Sequence, residues 1–122
     1  MSRKMFKTIE TPSGNGEISK AGKHLAYVSY RLQVEQEFLI IELVGGKKEE
    51  APSGIQNISG EVTLINEEER MPMLNTMNSN QSLTLHLADG RRLQIVVAMT
   101  GGDPFYRTYR VFAPSSAGFV SG

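Results

Sequence analysis

Val28, Tyr30, Leu32 and Val34 alternate with Ser29, Arg31, Gln33 and Glu35, and this strict two-residue period limits the chain's choices more than any other feature. In an extended backbone the period sends the two sets to opposite faces, so the segment reads as a strand with one buried and one wet face. Phe38-Leu39-Ile40-Ile41 follows directly and breaks the alternation. Apolar groups on both sides predict a stretch covered on both faces, as in a central or sharply bent strand. One straight strand from His24 to Val44 would reach about 70 Å at roughly 3.3 Å per residue, too long for a domain of 122 residues. A bend or bulge is therefore expected between Val34 and Glu37, although no Gly or Pro marks it.

The clearest hairpin comes later. Leu83, Leu85 and Leu87 share one face, Asp89-Gly90 follows, and Leu93, Ile95 and Val97 resume the pattern. Asp-Gly supplies the positive φ values of a type I′ turn, which is the turn expected here. Weaker strand signals cover Met5 to Glu10, Gly16 to Ser19, Ile55 to Asn66 and Phe105 to Ala113, with Gly60 read as a bulge site. Pro12, Pro52, Pro72, Pro104 and Pro114 all fall between these segments, which makes them punctuation. A long helix is not signalled. Asn66 and Glu69 have capping-box spacing, and Met73, Leu74 and Met77 could share a face, but Pro72 would sit inside that helix, so only a short turn starting at Pro72 is expected.

Short antiparallel strands without crossover helices predict an all-β chain. The expected architecture is a single small antiparallel β-barrel of roughly eight strands, comparable in size and strand count to calycin-like barrels, with a β-sandwich as the alternative. Length predicts one domain, read as residues 1–114, with 115–122 as a frayed tail anchored only by Phe119 and Val120.

Composition narrows the function classes. Thirteen basic and thirteen acidic residues cancel, which argues against a domain-wide grip on nucleic acid or anionic membrane. The absence of cysteine removes thiolate chemistry, disulfides and Cys-type metal sites. The longest apolar run, Phe38 to Val44, contains Glu42 and is far too short for a span. Without an apolar leader at the N-terminus, a cytoplasmic location is expected.

Candidate chemistry is sparse. His24 and His86 have no second ligand or carboxylate at a workable spacing in sequence, and His86, alternating with Leu85 and Leu87, is expected to face solvent. No hydrolase signature is present. Gly14-Asn15-Gly16 reads as a turn, and Gly101-Gly102-Asp103-Pro104 as a flexible loop. Glu42, between Ile41 and Leu43, is a candidate for a buried carboxylate. Phe105 to Arg110 interleaves aromatics with cations, the composition of strand-based nucleic-acid modules. Arg91-Arg92 could extend that patch. Met71, Met73 and Met77 lie in a segment with little structural signal, which suits a lid over a barrel mouth.

These features favour a non-enzymatic module that binds a small molecule or a protein partner, with no cofactor, and with self-association through an uncovered strand as one form of that reading. The residues assigned to ligand contact are Tyr30, Met71, Met73, Tyr106, Arg107, Tyr109 and Arg110. An OB-like binder of nucleic acid or a phosphate ligand, using Tyr106, Arg107, Tyr109 and Arg110, ranks second. A small barrel enzyme ranks third.

Overall fold

The computed structural model describes residues 2–77, 82–99, 107–114 and 118–121. They form an all-β chain with one short helix. The strands are β1 (Ser2–Glu10), β2 (Ser13–Lys20), β3 (Lys23–Glu42), β4 (Lys48–Leu64), β5 (Leu83–His86), β6 (Arg91–Met99), β7 (Thr108–Phe112) and β8 (Val120–Ser121). A 3-10 turn at Glu67–Glu69 leads into α1 (Arg70–Met77) between β4 and β5. All eight strands belong to one antiparallel sheet. β3 pairs with β2, and the ladder continues through β5, β6 and β7 to β4, which returns to β3 and closes a barrel-like ring. β1 and β8 lie outside this ring, on β3 and β6 respectively.

The ring core follows from the alternation. Ile18, Val28, Val62, Leu85, Ile95 and Val111 come from the six ring strands, and all are buried. Full burial of such side chains is worth about 1.5–3 kcal/mol each. Met73 of α1 joins this cluster. Pro72 is tolerated because it sits in the helix's first turn, where its missing N–H has no partner to lose. Its carbonyl accepts the Thr76 hydroxyl at 2.9 Å. Asn66 does cap the 3-10 turn by position, but its amide donates to Glu69 Oε1 at 3.3 Å and does not cap the backbone.

β3 runs unbroken for 20 residues, and the irregularity expected near Val34 to Glu37 lies in its neighbours. The β1 register slips between Thr8 and Glu10, opposite Val34 and Glu35. The β4 register slips opposite Glu37, where Ser53, Gly54 and Ile55 stand against one residue. Past this point the sheet leaves the ring as a three-stranded arm, in which β1 and the first half of β4 flank the end of β3.

Several local expectations are corrected. The β5–β6 turn is not type I′, because Gly90 has φ +92° while Asp89 keeps a negative φ. Gly90 N–H donates to Leu87 O and Leu87 N–H to Arg91 O, the pattern of a type I turn closed by a glycine bulge. Positive φ at both central residues instead occurs at Ala21 and Gly22, joining β2 to β3. Gly60 is in regular register with Leu32 and Val111. Its reason is close approach, since a Cβ there would lie 2.1 Å from the Arg31 carbonyl oxygen and 2.8 Å from Leu32 Cα. Gly14-Asn15-Gly16 is strand, not turn. Pro52 lies inside β4, paired with Phe38, in the half of that strand with no described neighbour on its other side, where a missing N–H is tolerated.

These geometries predict two opposite stability changes. Ala21→Asn should raise the unfolding free energy by about 0.5–1 kcal/mol, because Asn tolerates the left-handed region better than Ala. Gly60→Ala should lower it by about 1–3 kcal/mol, because the obstructing atoms are backbone and cannot swing away. Urea unfolding of both variants, with unchanged m-values, checks the pair.

Candidate functional site

Those of the residues assigned to ligand contact that are described do not converge. Tyr30 is a core residue: its ring lies against Gly14 and Gly16, and its hydroxyl accepts the Ala88 N–H at 3.0 Å. Met73 is buried, whereas Met71 on the same helix is exposed, so the methionine segment is an anchored helix and not a free loop. Tyr109 and Val111 point into the ring, while Arg110 and Phe112 point out. Arg107 is exposed at the start of β7, with Nη2 3.4 Å from the Leu64 carbonyl. Tyr106 lies outside the described residues, as do Phe105 and the Gly101–Pro104 loop.

The basic patch is likewise divided. Arg110 stands opposite Glu61, whose other neighbour is Arg31, an arrangement that sets opposite charges side by side across three strands. Arg91 is held by Glu10 at 3.0 and 2.6 Å and by Asp89 at 2.9 Å, and its guanidinium covers the Phe119 ring at 4.4 Å. Arg91 therefore fastens the β1–β2 connection and the C-terminal strand to the β5–β6 hairpin. Hydrogen bonds from Arg91 hold Glu10 and Asp89 below the usual carboxylate range.

A histidine cluster at one end of the ring was not visible in sequence. The two-residue turn at Ala21-Gly22 brings Glu17 beside His24, and the 3-10 turn brings Glu69 from 45 residues away. His24 Nδ1 meets Glu17 Oε2 at 2.5 Å and Nε2 meets Glu69 Oε2 at 2.5 Å. Glu69 Oε1 also accepts the Tyr27 N–H at 2.9 Å, and the Tyr27 ring lies 4.4 Å from the imidazole. The hydrogen bonds to Glu69 and Glu17 push the His24 pKa above 6.5. Burial raises Glu69, but hydrogen bonds from Tyr27, His24 and Asn66 outweigh it and leave its pKa lowered. With both ring nitrogens committed to carboxylates, His24 has no lone pair free for a metal. Among the described residues no group of three His, Asp or Glu is arranged to hold one.

Beside this cluster is an open depression of about 430 Å³, bordered by Glu17, Tyr27, Asn66 and His86 among others. His86 is on the outer face as expected, but its Nε2 lies 2.8 Å from the Ser19 hydroxyl. That separation suits a nucleophile and base. Ser19, however, is buried, and Glu17, directly across from His86, is bonded to His24 instead, so among the described residues no carboxylate is hydrogen-bonded to His86 to orient it.

The arm shows the largest departure from expectation. Phe38, Leu39 and Ile40 are only half-buried, so the predicted cover on both faces is incomplete among the described residues. Toward its tip Ile41 is 40% exposed, Leu43 39% and Val44 102%. Glu42, a candidate buried carboxylate, is exposed. Phe6 on β1 and Ile55 on β4 add further exposed apolar surface. Lys7 pairs with Glu50 across β3, its ammonium 5.4 Å from the Phe38 ring centre. At the junction with the ring, Gln36 and Glu37 are buried and Gln36 donates to the carbonyls of Glu37 and Ile55, both at 3.1 Å. Gln56 donates to Gln36 Oε1 at 3.0 Å, completing a polar seam.

No described helix is long and apolar enough to cross a membrane. Compared with known proteins, the chain matches no family model, no curated protein and no solved structure.

The His24 cluster predicts a stability profile with a definite sign. Because the folded-state pKa is raised, its contribution is complete below pH 6.5, the unfolded value, and is lost as pH rises through the folded value. His24→Gln should remove that alkaline-side loss and cost about 1 kcal/mol at pH 6, the scale of two partly exposed charge pairs. Chemical denaturation of both proteins from pH 5 to pH 9, about the range over which histidine titrates, reads it.

Proposed function

We propose that the chain is a non-enzymatic module for protein–protein contact, and that the β1–β3–β4 arm is its contact surface. The observation that carries this reading is the exposed apolar tip, Ile41, Leu43 and Val44, on an arm whose half-buried Phe38, Leu39 and Ile40 have no covering layer among the described residues. Exposed apolar side chains clustered at one place are retained where they meet another molecule. The two outer strands of the arm, β1 and the first half of β4, also have no described partner on their outer sides, and open strand edges are pairing surfaces.

The small-molecule form of the binding reading has less behind it. The sites assigned to it include Tyr30, Met73 and Tyr109, which fill the core. The OB-like form is weakened by the ring itself, which is built from two antiparallel three-stranded meanders joined through α1. An OB-fold is a five-stranded Greek-key barrel.

A photo-crosslinking amino acid placed at Val44, with a control at Ser29 on the polar outer face of the ring, tests the proposal in the producing cells. Protein adducts are expected from position 44 and not from position 29, and the other copy of the chain counts as a protein. Equal yields from both positions, or none from position 44, would count against the arm.

A further inference from the structure

The edge of β4 that has no partner among the described residues carries a charge pattern that complements itself. Lys47 immediately precedes the strand, which opens with Lys48, Glu49 and Glu50, followed by Ala51 and Pro52. We infer that the occupant of this edge is a second copy of the chain, paired antiparallel about a two-fold axis through Glu49. This inference rests on the arm being the contact surface.

The register follows from sheet geometry. Residues directly opposite in an antiparallel pair share a face, so a two-fold axis normal to the sheet pairs only positions of the same parity. An axis at Glu49 sets Lys48 of each copy opposite Glu50 of the other, so that Glu50 stands between that lysine and its own Lys7. The two Glu49 side chains meet at the axis, and each lies diagonal to Lys47 of the other copy. Opposite charges in direct and diagonal positions favour the pairing. Pro52 has no N–H to donate, so the ladder stops beyond Ala51 and cannot extend indefinitely. The same operation carries the exposed Val44 of each copy alongside the Pro52–Ile55 stretch of the other, where Ile55 is also exposed. The symmetric contact is closed, as expected of a dimer.

The outer edge of β1 does not offer this. β1 carries Arg3, Lys4 and Lys7, and its one acid, Glu10 at the end of the strand, is already held by Arg91. An axis at Lys7 is the pairing that would set Lys4 opposite Glu10, but it brings the two Lys7 side chains together and calls on a carboxylate that Arg91 already holds. Charge therefore selects β4 over β1 as the self-pairing edge.

Sedimentation equilibrium on the full chain tests the inference with Lys48→Glu, Glu50→Lys and their equimolar mixture. The unmodified protein should be dimeric. Each single reversal should weaken dimerisation by about tenfold or more, because two attractive pairs become repulsive. The mixture should recover it: the carboxylate introduced at position 48 of one variant then faces the ammonium introduced at position 50 of the other, and the second pair keeps its original Glu50 and Lys48. Circular dichroism confirms that each variant is folded. Three results overturn the inference: a monomer up to millimolar concentration, a dimer indifferent to both reversals, or a mixture no tighter than its components. A monomer that still gives Val44 adducts with other proteins removes the second copy and leaves the contact reading intact. Absence of both removes both.

Discussion

The architecture depends on one strand being longer than the ring that contains it. Twenty residues of β3 span about 66 Å, and its partners share that length in turn. β2 takes the first half of one side and β1 the second, while β4 follows the other side almost throughout. The side chains of β3 meet the ring core only as far as Val34. Beyond it the same hydrogen-bond ladder continues without a core beneath it. The polar seam of Gln36, Glu37 and Gln56 marks that boundary, where the two extra residues of β4 bend its backbone and the buried amide of Gln36 takes up carbonyls that regular pairing would have used.

The zero net charge resolves into a few discrete clusters placed where the ring needs closing or fastening. Glu17–His24–Glu69 ties the β2–β3 hairpin to the segment that carries Met73 into the core. Glu10–Arg91–Asp89 holds the β1–β2 connection to the far hairpin, and the stacked Phe119 brings the last strand to the same place. Lys7–Glu50 bridges the two outer strands of the arm. Exposed pairs of this kind contribute little energy singly. Their effect is mainly on orientation, fixing which segments lie together, while the apolar ring interior supplies the stability.

Much of the ring was legible because alternation is a local property. The inward set of β3, the leucines of β5 and the apolar positions of β6 were all marked by period two. Turn chemistry was less legible. Asp89-Gly90 carried the stronger type I′ signal, yet that geometry sits at Ala21-Gly22, where pairing of the flanking strands holds an alanine at positive φ. Pro52 looked like punctuation because its sequence does not reveal that one side of β4 is open. Met71 and Met73 looked equivalent until helix α1 placed one outside and one in the core.

The sequence by itself determined the strand character, the antiparallel all-β class and the inward-facing positions, since these depend on side-chain direction along a few adjacent residues. Tertiary structure decided the Glu17–His24–Glu69 cluster, the commitment of Arg91, and the exposure of Ile41 to Val44. Each depends on partners dozens of residues away or on the absence of a covering layer among the described residues. A run apolar on both faces is compatible with a buried centre or an open arm, and only the path of the remaining chain distinguishes them.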